Sequence, residues 1–473
     1  MEGIIRENTD EAQRQAEFIV KAHDALLVLE RKAGRKLKAC VVTFGCQMNA
    51  RDSEKLRGIL DRTGFILTEE ELDADLIIYN TCTVRDNADQ HVYGRLGRLT
   101  GLKKKKPELI VGLCGCMMQE ETVVRKIRKS YPVVDLIFGT HNLFTFPELL
   151  ARKLSGERRV TELWEGTDQI VENLPVKRKF RFKSGVNIMF GCDNFCSYCI
   201  VPYVRGRERS RLSRDILDEI RSLSDDGVKE IMLLGQNVNS YGRGLGNEMT
   251  FSQLLREVCA VPGIERVRFM TSHPKDLSDE LIAAIAEEPK VCRHIHLPVQ
   301  SGSTDILRKM NRRYTRSDYL RLVEKIREAD PDISITTDII VGFPGETEED
   351  FEETVLLVKE VGFDSAFTFI YSKRTGTPAA KMENQIPDEI VHKRFERLLE
   401  TVKETGEAAC ARFEGRTMNV LAEELNKEPG FVSGRISHNI MVHFPGDRDD
   451  IGKIIPVKLT DCRGFYYFGE RVQ

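Results

Sequence analysis

Three closely spaced cysteines, Cys192, Cys196 and Cys199, constrain the fold of this chain more than any other feature of its sequence. They follow a short apolar run that ends at Phe190, which predicts a loop leaving the carboxyl end of a β-strand. Three thiolates on one loop can hold three irons of a cubane cluster and leave the fourth iron open. The alternative is a zinc site, which needs a fourth Cys or His nearby. The nearest downstream histidine is His273, so the spacing favours an iron–sulfur cluster.

The run before this loop begins a series in which short apolar segments alternate with charged, helix-favouring segments. The alternation predicts parallel strands that form a partial (βα)6 barrel, with the cysteine loop at the carboxyl end of its first strand. Helices are predicted over residues 216–223 and 351–361. The predicted strands are residues 186–190, 230–234, 266–271, 294–297, 333–337 and 366–371.

A second set of cysteines, Cys46, Cys82 and Cys116, lies in an earlier strand–helix alternation. Each follows a predicted strand, and parallel strands present their carboxyl ends along one edge, so the three thiols are expected to converge on a second cluster with an open iron. The alternative is that they are ordinary buried cysteines, but recurrence at three strand ends favours a site. Cys114 competes with Cys116 because both would share a face if the strand continued. The three predicted strands are residues 39–44, 76–79 and 109–113.

Composition places the chain among globular proteins, with 41% hydrophobic and 31% charged residues and a net charge of −3. We expect no secretory signal, because the first residues lack a basic start and an apolar run, and no apolar stretch approaches bilayer length. The expected location is the cytoplasm, without membrane contact. In that reducing compartment the 12 cysteines are expected to be thiols, cluster ligands or core residues. Core positions are expected for Cys40, Cys259, Cys292, Cys410 and Cys462.

The cysteine loop at residues 191–199 resembles that of the radical S-adenosylmethionine enzymes, whose core is a partial (βα)6 barrel. Further segments are similar to the methylthiotransferases within that group, and together the likeness covers residues 37–473. It implies two [4Fe-4S] clusters, one held by the 192–199 loop and an auxiliary one held by Cys46, Cys82 and Cys116 that delivers sulfur. It also implies S-adenosylmethionine as both methyl donor and source of a 5′-deoxyadenosyl radical. The segments are residues 43–49, 80–85, 115–119, 338–347 and 371–379.

The same resemblance implies contacts to S-adenosylmethionine from polar residues that follow the later barrel strands. Each of these side chains could equally cap a helix or fix a turn. The candidates are Gln236, Asn237, Ser272, Gln300 and Asp338.

The residues after Cys46, Gln47-Met48-Asn49, resemble the family branch that acts on tRNA. This implies methylthiolation at C2 of N(6)-dimethylallyladenosine beside the anticodon. The alternatives are threonylcarbamoyladenosine in tRNA and an aspartate of a ribosomal protein. The expected partners are the anticodon arm of tRNA and an electron donor such as flavodoxin or ferredoxin, and the chain is expected to be a monomer.

The C-terminal segment resembles a TRAM domain, a small OB-like β-barrel that binds RNA; mere domain packing is the alternative. The likeness lies in Gly434-Arg435, Asn439 and Val442-His443-Phe444, and the predicted strands are residues 419–422, 440–444 and 454–459. Two basic stretches, residues 177–183 and 205–214, are candidate phosphate contacts. The predicted organisation is a helical extension (1–36), a parallel α/β domain (37–153), a linker (154–177), the radical core (178–408) and the TRAM barrel (409–473).

Overall fold

The computed structural model describes residues 2–83, 86–246 and 248–472, and within it the chain divides into two units. Val84 and Arg85, the last residues of the 80–85 motif, lie outside the described residues, as do Met1 and Gln473 at the ends of the predicted domains. The first unit comprises Met1–Lys179, Phe190–Asp193 and Ile200–Arg209, and the second comprises Phe180–Met189, Asn194–Cys199 and Ser210–Gln473.

The first unit contains a wholly parallel sheet, which confirms the predicted α/β architecture. Its strand order is β2-β1-β3-β4-β5-β6. The strands are β1 (Lys38–Thr43), β2 (Ile66–Leu67), β3 (Leu76–Thr81), β4 (Ile110–Gly115), β5 (Leu136–Phe138) and β6 (Val160–Glu162). The helices are α1 (Glu2–Ala33), α2 (Gln47–Thr63), α3 (Asp86–Lys105), α4 (Glu121–Ser130) and α5 (Phe146–Leu154).

The sheet contains strands that the sequence pattern did not indicate, because β2, β5 and β6 are too short to show alternation. Strand β6 pairs in parallel with β5, so part of the segment predicted to be a linker is an edge strand of this sheet. The amphipathic N-terminal helix is present as α1, which buries Ala22 and Leu26. It ends before Gly34, whose φ of +68° suits a residue without a β-carbon.

The second unit contains the expected partial (βα)6 barrel, in two parallel three-stranded sheets ordered β11-β10-β7 and β12-β13-β14. Isolated parallel bridges at Val267–Val291 and Gln300–Ile339 extend this pairing. The strands of the region are β7 (Lys183–Asn187), β8 (Met189–Phe190), β9 (Arg209–Ser210), β10 (Glu230–Leu234), β11 (Arg266–Phe269), β12 (His294–His296), β13 (Ser334–Val341) and β14 (Ser365–Ile370). Helix α6 (Val201–Val204) belongs to the first unit. The helices of the second unit are α7 (Ser213–Asp225), α8 (Phe251–Ala260), α9 (Asp279–Glu287), α10 (Thr304–Lys309), α11 (Arg316–Ala329), α12 (Glu348–Val361) and α13 (Asp388–Ala411).

Strand alternation decides which side chains enter the barrel core and which remain for a site. Ile231, Leu233 and Ile295 pack in the apolar cluster with the surrounding helices. In β12 the positions on either side of Ile295 are polar and buried, namely His294 and His296. Local capping explains where several helices begin: Thr315 and Thr347 each form a capping box at the start of α11 and α12.

The chain ends in a closed barrel of order β15-β16-β17-β19-β18, which confirms the small all-β domain. Gly434 is required there, because a β-carbon would lie 2.2 Å from the carbonyl oxygen of Leu421. No helix in the described part of the chain is long and apolar enough to cross a membrane. The barrel strands are β15 (Thr417–Leu425), β16 (Phe431–Arg435), β17 (Met441–Pro445), β18 (Ile454–Cys462) and β19 (Tyr466–Arg471).

Candidate functional site

The cysteines of the first triad, Cys46, Cys82 and Cys116, follow strands β1, β3 and β4 at one edge of the first sheet. Their side chains come together around Asn49 and Gly45. The Cys46 and Cys116 sulfurs lie 3.8 and 4.0 Å from Asn49 Oδ1. A β-carbon on Gly45 would lie 2.8 Å from Cys82 Sγ, so this glycine allows the Cys82 side chain to approach.

Asn49 lies beside two of these thiols, and the sequence did not indicate this position. Its side-chain amide donates to the carbonyl oxygens of Phe44 (3.0 Å) and Thr81 (2.8 Å), which leaves Oδ1 facing the sulfurs. Asn80 in turn donates to the backbone carbonyl of Asn49 at 2.8 Å. The asparagine therefore ties the ends of β1 and β3 together at the point where two of the cysteines begin.

Arg205 is a buried cation that contacts the first triad. Its Nε donates to Cys116 Sγ at 3.3 Å, and its Nη2 lies 2.7 Å from Asn49 Oδ1 and 3.0 Å from the Asp52 carboxylate. Burial raises the pKa of the Cys116 thiol to about 11, and the Arg205 charge opposes that rise. A permanent positive charge therefore lies next to the first triad and favours the thiolate form of Cys116.

Cys114, the competitor of Cys116, occupies a different environment. It is fully buried in the apolar cluster of the sheet that also contains Ile78 and Leu136, and this burial raises the pKa of its thiol well above the ordinary value. Gly115, with a φ of +95°, turns the chain between the two cysteines. The structure therefore places Cys116, and not Cys114, beside Asn49 and Arg205.

The second triad lies on the loop after β7 and β8. The backbone N–H of Cys192 donates to the carbonyl of Gly206 within the first unit, at 3.2 Å. In the second unit, the N–H of Cys199 donates to the carbonyl of Cys196 at 2.9 Å, and Ser197 is tied to the end of α10 by its backbone and its hydroxyl. These bonds fix the loop conformation on both sides of its central residues.

A second buried arginine, Arg312, contacts the second triad. Its Nη1 lies 3.6 Å from Cys196 Sγ, while its other nitrogens donate to the carbonyl of Pro298 and to the Tyr314 hydroxyl. Burial acts to lower the pKa of Arg312, but the adjacent Tyr314, Tyr198 and Cys196 raise it well above its ordinary value. The sequence did not indicate Arg312, which belongs to the basic pair Arg312-Arg313.

No group of three or more His, Cys, Asp or Glu side chains among residues 2–83, 86–246 and 248–472 is arranged to hold one metal ion. A cubane cluster does not require that geometry, because each of its cysteine ligands binds a different iron.

Two of the five S-adenosylmethionine candidates have backbone or turn roles in the structure. Asn237 donates to the Asp276 carboxylate at 2.7 Å and accepts from the His273 backbone at 3.1 Å, which fixes the loop after β10. Gln300 has a φ of +70°, and its backbone pairs with the Asp338 carbonyl at 2.8 Å. Both residues therefore follow strand ends as predicted. Their observed hydrogen bonds stabilise the turns in which they lie.

Of the other candidates, Ser272 and Gln236 follow strands β11 and β10 as predicted. Asp338 does not follow a strand end, because β13 continues past the predicted bound at residue 337 to Val341. The Ser272 hydroxyl is fully buried and has no hydrogen-bond partner among the described residues. Asp338 is partly exposed and lies 3.5 Å from His296 Nε2. Gln236 is partly buried directly after β10. The side-chain amide of Asn187, at the end of β7, is also buried and unpaired within the described chain, and the sequence did not indicate it. Such groups are the kind that a polar ligand satisfies.

The C-terminal barrel carries a cluster of rings around His443. The ring of His443 lies 5.2 Å from Tyr466 and 5.5 Å from Phe468, and Phe431 contacts Phe468 at 6.2 Å. Tyr466 is an exposed member of this cluster. Of the other residues that carried the resemblance, Asn439 has a φ of +67° and its carbonyl accepts from Arg435 at 3.2 Å, so both shape the turn before β17.

The prediction that the basic stretch 205–214 contacts phosphate is wrong for two of its arginines. Arg205 is buried at the first triad, and Arg211 is buried between the Asn187 carbonyl and Glu219. Arg214 remains exposed. In the 177–183 stretch, Lys177 pairs with Asp61 at the surface and Lys183 pairs with Glu423. A run of basic residues in a sequence does not show which of their side chains are exposed and which are buried.

Three regions of the chain match known families. Residues 38–139 match the uncharacterized protein family UPF0004, residues 186–358 the radical SAM superfamily, and residues 411–472 the TRAM domain. In fold, the chain is similar to the radical S-adenosylmethionine methyltransferase TsrM from Kitasatospora setae, with a TM-score of 0.51, 17% identity, and coverage of 73% of this chain and 77% of that chain.

Two relatives are similar over nearly the full chain, and both are named tRNA-2-methylthio-N(6)-dimethylallyladenosine synthase. The protein of Lachnoclostridium phytofermentans is 57% identical over 441 residues, which are 93% of this chain and 96% of the relative. The protein of Acetivibrio thermocellus is 52% identical over 465 residues, which are 98% of this chain and 97% of the relative.

Proposed function

The chain belongs to the family of tRNA-2-methylthio-N(6)-dimethylallyladenosine synthases, and we propose that it adds a methylthio group to C2 of N(6)-dimethylallyladenosine next to the anticodon of tRNA. It is a radical S-adenosylmethionine methylthiotransferase. The observation that carries the proposal is the presence of two separate cysteine triads, each at the carboxyl ends of parallel strands and each with a buried arginine at one sulfur.

Two triads meet the chemical requirement of this reaction. The C2 carbon of the adenine ring bears only hydrogen, so there is no leaving group for ordinary substitution and the carbon must be activated by a radical. When bound, the two [4Fe-4S] clusters and S-adenosylmethionine supply the radical, the sulfur and the methyl group. The protein must therefore hold two clusters that have different roles in the reaction.

Cys192, Cys196 and Cys199 are proposed to hold the cluster that binds S-adenosylmethionine. The unpaired Ser272 hydroxyl and Asn187 amide support a polar ligand at this end of the barrel, because each would otherwise remain buried without a hydrogen bond. Asp338 is proposed as a further contact, while Asn237 and Gln300 position the loops that surround the ligand. Gln236 is also proposed to contact S-adenosylmethionine, because it lies shortly after β10.

Cys46, Cys82 and Cys116 are proposed to hold the auxiliary cluster. The convergence of the Cys46 and Cys116 sulfurs on Asn49, and of Cys82 on Gly45, supports this assignment. Asn49 holds the strand ends in place, and Arg205 balances the negative charge that thiolate ligands bring into a buried site.

The C-terminal barrel is proposed to bind the anticodon arm. Rings such as Tyr466 and Phe468 can stack on bases of a single-stranded loop, and the target nucleotide must leave the stack to reach an active site. We further propose that the protein works as a monomer in the cytoplasm, where its tRNA substrate occurs, and accepts electrons from flavodoxin or ferredoxin.

The proposal is tested with anaerobically reconstituted protein, S-adenosylmethionine, a low-potential reductant and tRNA that carries N(6)-dimethylallyladenosine. Mass spectrometry of the nucleosides should show the methylthio product, and 5′-deoxyadenosine should form in parallel. tRNA carrying threonylcarbamoyladenosine and isolated ribosomal protein are the competing substrates. Product on either of these alone would contradict the assignment.

The separate roles of the two cysteine triads are tested by two substitutions with a matched control. Cys46→Ala should leave 5′-deoxyadenosine formation largely intact and abolish methylthio product, whereas Cys192→Ala should abolish both. Cys259→Ala, at a buried cysteine of the apolar core, is the control and should retain both products. Equal loss of 5′-deoxyadenosine in the Cys46 and Cys192 variants would show that the triads do not have separate duties.

A further inference from the structure

Each cysteine triad has one buried arginine whose guanidinium lies against a cysteine sulfur. Arg205 Nε is 3.3 Å from Cys116 Sγ in the first unit, and Arg312 Nη1 is 3.6 Å from Cys196 Sγ in the second. The two arginines come from different chain segments, and the arrangement therefore occurs twice independently. A buried guanidinium is costly unless negative charge or acceptors surround it, so this repetition requires a physical reason.

The guanidinium of Arg205 contacts both a carboxylate and a sulfur. Its Nη2 is shared between the Asp52 carboxylate and Asn49 Oδ1, while Nε is directed at Cys116. An N–H group that donates to a metal-bound sulfur both orients that sulfur and withdraws electron density from the cluster. Arg205 is thus placed to act on a cluster through Cys116.

Arg312 depends on sulfur even more strongly. Its other bonds go to the Pro298 carbonyl and the Tyr314 hydroxyl, which are both neutral acceptors. In the described part of the chain, no carboxylate lies within salt-bridge distance of it. The thiolate of Cys196, which is deprotonated when it binds iron, is therefore the negative group closest to this buried cation.

We propose that Arg205 and Arg312 are positioning residues, each of which holds one cysteine sulfur as an iron ligand and raises the reduction potential of the cluster at its own triad. The physical basis is that a reduced cluster carries one more negative charge, which a nearby buried cation and an N–H···S bond stabilise. The inference rests on the proposed function only for the presence of two clusters.

The test measures each cluster separately in the full-length protein. One background carries Cys192, Cys196 and Cys199 replaced by Ala, and the other carries Cys46, Cys82 and Cys116 replaced by Ala. Redox titrations followed by electron paramagnetic resonance give the potential, and iron and sulfide analyses give the occupancy. No tRNA is present, so failure of the proposed substrate would leave these measurements unchanged.

Arg205→Gln should lower the potential of the first-triad cluster, and Arg312→Gln that of the second. We expect about a tenfold change in the ratio of oxidised to reduced cluster at fixed potential, equivalent to about 59 mV for one electron. Arg394→Gln, introduced into both backgrounds, is the control, because Arg394 is equally buried but bonded to Glu346 and Glu348 and to no sulfur. It should shift neither potential.

Where a Gln variant holds less iron, the corresponding Lys variant decides the outcome. Restored iron in Arg205→Lys or Arg312→Lys supports the positioning role, since lysine keeps the charge. Unrestored iron in the Lys variant overturns the proposal for that triad. Unchanged potentials in the Gln variants, or a shift in Arg394→Gln as large as theirs, would equally overturn it.

Discussion

Gly45→Ala is expected to disrupt the first triad for two separable reasons. Gly45 has a φ of +114°, a conformation that a residue with a β-carbon rarely adopts, and the added carbon would lie 2.5 Å from Cys82 Cβ and 2.8 Å from Cys82 Sγ. The backbone strain costs about 1–2 kcal/mol. Overpacking against a fixed neighbour adds about 1–3 kcal/mol, so we expect a total of about 2–5 kcal/mol. Displacement of the Cys82 sulfur should also reduce iron binding.

Gly34→Ala provides the matched comparison in the same unit. Gly34 also has a positive φ, +68°, but nothing lies within 4 Å of the position that an added β-carbon would take, so only the strain applies. Both variants are made in the background without the 192–199 cysteines. Thermal unfolding gives the stability loss, and iron and sulfide analyses give the occupancy of the first triad. If Gly45→Ala retained as much iron as Gly34→Ala and unfolded at the same temperature, the steric argument for Gly45 would be refuted.

Three further outcomes are expected. Cys116→Ser should lose iron at the first triad, whereas Cys114→Ser should retain it because its side chain lies in the apolar core; iron analysis distinguishes them. Burial, together with neighbouring arginines, lowers the pKa of His141 to about 4 from 6.5. The unfolded chain therefore takes up this proton first, and about 3 kcal/mol of stability that is present above pH 6.5 should be lost as the pH falls to 4. Unfolding midpoints of His141→Leu should show a flatter dependence over that range, and an identical dependence would contradict the assignment. Phe468→Ala should weaken tRNA binding by about 1–3 kcal/mol in fluorescence anisotropy, with the exposed Val472→Ala as control; equal affinities would exclude stacking there.

Local patterns in the sequence were sufficient for the architecture and for the position of both triads. Strands such as β10, residues 230–234, were predicted with their observed bounds because a short apolar run between charged segments is a property of neighbouring residues. The three-cysteine spacing is equally local, because one short loop holds all three thiols. The parallel order of β1, β3 and β4 then brings Cys46, Cys82 and Cys116 to one edge.

Short elements and the surroundings of the thiols were not predictable in this way. Strand β6 has three residues, too few to show a period, and it exists because β5 offers it a pairing edge. The choice between Cys114 and Cys116 depends on a turn at Gly115, which sends one side chain into the core and the other to Asn49.

The sequence by itself indicated the fold class, the family and six cysteines in two groups. The short spacing of one group and the recurrence of a cysteine after each of three predicted strands in the other are both properties of the sequence alone. Only the tertiary structure decided which charges act on those cysteines. Arg205 stands 89 residues from Cys116, and Arg312 stands 116 residues from Cys196. Burial and partner determine whether an arginine is a solvated surface cation or a buried group at a sulfur, and both arise from contacts between segments distant in sequence.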